Sequence, residues 1–225
     1  MTTTTARTYS LFDAKIGKKA IVAVTGIVLF GFVIVHMLGN LQIFLGPEAI
    51  NSYAASLREV PALLWTARAV LLAAVVLHIV FSIQLTLDAN AARPVAYRGR
   101  KSVATTYAAR TMKFSGPLLA VFILYHLAHF TWPGVAMGDY QHSPHDVYAN
   151  VVRGFSVPWV VAIYLVAQVM LGLHLYHGAW SLFQSLGLNH PRYNRLREAL
   201  PRALAFTVVI GNVVMPLAVL VGIVR

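Results

Sequence analysis

Cysteine is absent from the 225 residues, which removes disulfides, thiolate-held iron-sulfur clusters and the thioether attachment of c-type haem. Any bound metal must therefore rest on nitrogen or oxygen. Charge is also scarce: charged residues make up 11% of the chain against 58% hydrophobic, and the mean hydropathy is +0.68, too apolar for a soluble domain of ordinary usage. Acidic residues are scarcest, 7 against 18 Lys and Arg, for a net charge of +11. In a soluble protein that excess would suggest nucleic acid, but here the basic residues lie between apolar runs, so no nucleic-acid partner is expected. No strand followed by G-x-G-x-x-G is present, so flavin or nucleotide chemistry is not expected of this chain. Nor does any segment of 20 to 50 residues recur.

What is present is a set of five long apolar runs. A helix rising about 1.5 Å per residue needs roughly 20 apolar residues to cross a hydrocarbon core of about 30 Å. Residues 19–45, 62–87, 114–132, 157–186 and 202–224 meet that length. The expected fold is all-α, one membrane domain over residues 1–225 with five transmembrane helices. Met1 to Ser10 is polar and threonine-rich, unlike the apolar core of a cleavable signal, so the first run is expected to persist as a helix. Two segments between spans also read as short helices: Pro47 to Val60, stopped by Pro61, and Asp146 to Gly154.

The loops alternate between strongly basic and nearly neutral. Arg7, Lys15, Lys18 and Lys19, then Arg93, Arg98, Arg100, Lys101, Arg110 and Lys113, then Arg192, Arg195, Arg197 and Arg202 fall on one side, fourteen of the eighteen basic residues. The positive-inside rule then puts the amino terminus in the cytoplasm and the carboxyl terminus outside a cytoplasmic (inner) membrane.

Six of the nine histidines lie inside these runs: His36, His78, His126, His129, His174 and His177. Ionisable side chains at membrane depth are costly and by default mark function. A single buried histidine is more often a hydrogen-bonded structural residue, so their arrangement has to decide. Counting along the helices puts His36 of the first span and His126 of the third in the outer half. His78 of the second and His174 of the fourth fall in the inner half. Two level pairs result, one joining spans one and three, the other spans two and four, as a four-helix bundle around cofactors requires. A low-spin b haem takes two axial imidazoles on opposite faces of its ring, and this chain offers that set twice, about 10 residues or on the order of 15 Å apart along the helices. His129 and His177, each three residues further on, share nearly the same helix faces and stand as alternative ligands. Gly26, Gly31, Gly116 and Gly172 are small enough to let a flat macrocycle or another helix approach. His142, His145 and His190 lie in loops at spacings that match no compact zinc site and read as solvated or partner-facing.

The stretches GFVIVHMLGN around His36, AAVVLHIVFS around His78, SGPLLAVFILYHLAHF around His126 and GLHLYHGAWSLFQSLGLNHPRY around His174 resemble the single-chain, five-helix, dihaem cytochrome b anchor of succinate dehydrogenase and quinol:fumarate reductase, the complex II family. The resemblance implies that His36 and His126 bind the outer haem and His78 and His174 the inner one. Its glycine and Gly-x-Trp-Ser signatures select His126 over His129 and His174 over His177. It also implies a flavoprotein and an iron-sulfur subunit on the cytoplasmic side, passing electrons through two haem b groups to or from a membrane quinone, with menaquinone expected. The chain would then be a non-flavin subunit of the respiratory-chain enzyme, without the succinate site.

Further residues follow from that implication. Propionates need cationic partners; Arg68, level with the outer pair, and Arg110 and Lys113, just before the third span, are candidates. Glu59 lies where related anchors carry a carboxylate used in quinol chemistry, near Asn40, Gln42 and Asn51. Lys15, Lys19, Tyr97 and Ser102 are candidates for an inner quinone site. Rival expectations are the cytochrome b anchor of another quinone-linked oxidoreductase, such as a hydrogenase or formate dehydrogenase, and a haem-free transporter using the histidines as a proton relay.

Overall fold

A computed structural model describes residues 14–92, 106–132, 142–188 and 190–225. Tyr97 and Ser102 lie outside the described residues, as do Arg7, Arg93, Arg98, Arg100 and Lys101. Among the described residues there is no strand. Seven α-helices follow in order: α1 (Lys15–Asn40), α2 (Pro47–Glu59), α3 (Pro61–Ala91), α4 (Tyr107–Phe130), α5 (Val147–Phe155), α6 (Pro158–Ser185) and α7 (Asn194–Leu220). With the 3₁₀ turns that extend α1 to Leu45 and begin α7 at Pro191, five of them are long and apolar enough to cross a membrane. α2 and α5 are the two short helices expected between the spans.

Element boundaries follow local chemistry. Gly46, at φ 100, makes the turn after the 3₁₀ segment in a conformation that L side chains resist. Pro47, Pro61 and Pro158 then open α2, α3 and α6, where a missing N–H costs nothing. Thr106 caps α4 by accepting from the Ala109 N–H at 3.2 Å, and Asp146 caps α5 through Ala149 at 3.0 Å. α4 begins seven residues before the apolar run and α7 eight before it. Helical hydrogen bonding continues through the interface, where the exposed Arg110, Lys113 and Arg195 can sit at the water boundary.

α3 packs along α1, α4 along α6, and α7 along α6, while α1 also touches α6 and α7. No comparable packing joins α1 to α4 or α3 to α6 among the described residues. The basic ends of α1 and α3 are tied by Lys18 and Asp88, 2.9 Å apart. At the opposite end α2 and α5 lie together over the bundle. Asn51 on α2 donates to Asp146 Oδ1 at 3.1 Å and accepts from the Tyr148 N–H at 3.0 Å, and the Tyr148 hydroxyl donates to the Arg225 carbonyl at 2.9 Å. Beneath them Ile43, Ile50, Phe155, Val160, Val161 and Val219 form the apolar core.

Candidate functional site

The histidines of non-adjacent spans meet ring to ring. His36 on α1 and His126 on α4 have ring centres 5.7 Å apart at 87°. His78 on α3 and His174 on α6 have theirs 6.2 Å apart at 57°. Those are the helix combinations whose backbones do not pack, so the side chains reach across an interior that the main chains leave open. His36 faces His126 and yet remains exposed, and an added Cβ at Gly31 or Gly116 would meet nothing within 4 Å. The other two glycines singled out in the sequence serve packing: Gly26 lies against the His78 ring, and Gly172 admits Val209 of α7.

The second nitrogen of three of these rings is held by a hydroxyl. Thr25 Oγ1 lies 2.7 Å from the Ile21 carbonyl and 3.2 Å from His78 Nδ1. Because its proton goes to the carbonyl, the oxygen accepts from Nδ1–H, which leaves the His78 Nε2 lone pair free. Ser115 repeats this on α4, lying 3.4 Å from the Met112 carbonyl and 3.4 Å from His174 Nδ1. Tyr164 Oη stands 3.1 Å from His126 Nδ1 and 3.0 Å from His129 Nδ1. One hydroxyl can donate to His129 and accept from His126, which again frees the His126 Nε2. Holding the outer nitrogen of a ligating imidazole in this way fixes its tautomer and orientation. Sequence reading missed Thr25, Ser115 and Tyr164; hydroxyls within the spans at the depths of the histidines were visible, but nothing in the sequence set them apart from hydroxyls that bond their own helix.

The same contacts fix the spacing between the two pairs. On α1, Thr25 touches the inner pair and His36 belongs to the outer; on α4, Ser115 and His126 stand in the same relation. Both helices thus give eleven residues, roughly 16 Å at 1.5 Å rise.

His129 and His177 do not face the opposing histidines. His129 is 2% exposed and is wedged between Phe130, Phe155 and Gly154, where a Cβ would come within 2.9 Å of its Nε2. His177 Nε2 lies 3.2 Å from Ser181 Oγ on its own helix. Arg68 is exposed, with its guanidinium 4.9 Å above Trp65. Arg110 and Lys113 are also exposed, over Tyr107 and Phe114 of α4. Glu59 is exposed at the last residue of α2, and Lys15 and Lys19 are exposed at the start of α1. His142 Nε2 donates to the Phe130 carbonyl at the end of α4, 3.0 Å away, and so belongs to the outer cap.

No family model, curated protein or solved structure matches this chain. No group of three or more His, Asp or Glu side chains that could hold a metal occurs among the described residues. The opposed pairs offer two imidazoles each, so a metal held between them would need its remaining ligands from a bound group such as a macrocycle. The pairs fit such a group. Two imidazoles bound to one metal through bonds of about 2 Å place their ring centres roughly 6 Å apart, and the observed separations are 5.7 and 6.2 Å.

Proposed function

We propose that this protein is the dihaem cytochrome b membrane anchor of a succinate:quinone oxidoreductase, carrying electrons between an iron-sulfur subunit on the cytoplasmic side and a membrane quinone. The observation that carries the reading is the meeting of His36 with His126 and of His78 with His174 across helices whose backbones stand apart. His36 and His126 would hold the outer haem and His78 and His174 the inner. Each haem, when bound, supplies reversible one-electron chemistry at iron.

The chain's own residues supply position and insulation. Thr25 and Ser115 keep the inner imidazoles in the Nδ1–H form, and Tyr164 does so for His126. The outer cap of α2 and α5, closed by Asn51 and Asp146, packs through Phe155 against His129 and Phe130 on the α4 side of the outer pair. Arg68, Arg110 and Lys113 are the cations available to propionates at the two levels. Glu59, exposed beside the start of α3, is the carboxylate we assign to proton exchange with quinone at the outer face. The basic ends of α1, α4 and α7 offer the soluble subunits a complementary surface and also set topology.

The test is haem content of the purified chain together with single substitutions. Two haems per polypeptide are expected. His36→Ala and His126→Ala should remove the same spectral component, and His78→Ala and His174→Ala the other. A wild-type chain without haem, or substitutions that pair differently, would sink the proposal.

A further inference from the structure

At the basic end of the bundle, far from the outer pair, residues at and after the end of α6 and at the start of α7 line a half-open pocket of about 300 Å³. Phe183, Leu188 and Leu196 give it apolar walls, and Arg197, His190 and Tyr193 line it with polar groups. Arg197 is only 5% exposed. Its guanidinium lies 5.3 Å from the Trp180 ring centre, and one terminal nitrogen donates to Asn194 Oδ1 at 3.1 Å. Its Nε has no partner. No carboxylate pairs with it either, the ion pair among the described residues being Lys18 with Asp88. A buried cation without a counter-charge is costly, and here the positive end of the α7 dipole raises the cost. His190 adds a second donor: its Nδ1 accepts from the Arg192 N–H at 3.2 Å, so a neutral ring carries its proton on Nε2.

We propose that this pocket binds the phosphate of an anionic phospholipid, with Arg197 as its charge partner, His190 and Tyr193 as further donors, and Phe183, Leu188 and Leu196 against the glycerol and upper acyl carbons. Several features favour a lipid over a free anion. The site lies at a span end, its walls are apolar, and basic pockets between transmembrane helices at the interface suit such headgroups. The site is separate from the histidine pairs and does not depend on them.

Native mass spectrometry of the detergent-purified full chain, titrated with phosphatidylglycerol, phosphatidylcholine or inorganic phosphate, tests this. Wild type should retain one phosphatidylglycerol in preference to phosphatidylcholine, and inorganic phosphate at equal concentration should not displace it. Arg197→Gln should weaken that retention by about tenfold or more, as expected for loss of a charge-assisted contact. Arg197 also bridges α6 and α7, so His190→Ala at the exposed rim provides a second variant, expected to weaken retention with helix content unchanged. The proposal is overturned if wild type does not distinguish the two lipids, if phosphate competes as well as lipid does, or if His190→Ala retains phosphatidylglycerol as wild type does. Failure of lipid binding would reassign the buried charge to a carboxylate of a protein partner.

Discussion

Three hydroxyls hold the Nδ1 of three of the four paired imidazoles, and they divide by level. Thr25 and Ser115 serve the inner pair and Tyr164 the outer. Removing one leaves an N–H in an apolar interior without its acceptor, a cost of about 1–3 kcal/mol that the ring can escape by rotating or changing tautomer. Thr25→Val keeps the shape of the side chain and removes its oxygen. In the purified protein it should shift the midpoint potential and low-spin signal of the component lost in His78→Ala, and leave the other component in place. Tyr164→Phe should do the reverse. A shift of both components by either substitution would mean that the hydroxyls act through bundle packing rather than through individual rings. None of the three was legible from the sequence, because a threonine, serine or tyrosine within a span is equally suited to bonding its own helix. Only the register between helices brings them to the histidines. The histidine pairing itself was legible, since depth along a straight helix follows from counting residues, and level residues on facing spans are the ones that meet.

At the scale of elements, hydropathy found all five spans and turn chemistry found α2 and α5, but the ends of α4 and α7 were misplaced. An apolar run reports where lipid requires a helix; it does not report how far hydrogen bonding continues past the interface, which for α4 is set by the Thr106 cap. The contact between α2 and α5 was equally illegible, because it depends on one asparagine 95 residues from its partner. Asn51 bonds both Asp146 and the Tyr148 N–H, while Asp146 also accepts from Ala149. The backbone N–H of Ala149 foremost, then the Asn51 amide, holds the Asp146 carboxyl below its ordinary value. A carboxylate whose folded value is depressed adds stability that is present above the unfolded value, near about 4, and is lost as pH falls through the folded value. Asn51→Ala should therefore lower the thermal midpoint at neutral pH, by the equivalent of about 1–3 kcal/mol for two lost partners. As pH falls below the ordinary aspartate value the gap between variant and wild type should narrow, since the charge that Asn51 stabilises is then being lost. A gap of constant size across that range would show that Asn51 acts through packing alone.

For the whole molecule, the arrangement of charge and the arrangement of the histidine pairs, read as the proposed haem ligands, make one joint statement about direction. The Lys18–Asp88 pair and the Arg197 pocket mark one end of the bundle, and α2, α5 and the Arg225 carbonyl mark the other. His78 and His174 lie nearer the first end, so on the proposed function an electron entering from a subunit docked on the basic face would meet the inner pair before the outer. That order holds only if the basic face is cytoplasmic, as the loop charges imply. A chain without cysteine is well suited to the test, because each introduced thiol is the only one present. Ser56 is exposed on α2, and Ser185 is exposed at the last residue of α6. In intact cells a membrane-impermeant maleimide should label Ser56→Cys and leave Ser185→Cys unmodified until the membrane is opened. The opposite pattern would put α2 and α5 in the cytoplasm, bring the His36–His126 pair nearest to any cytoplasmic donor, and reverse the electron path across the bilayer.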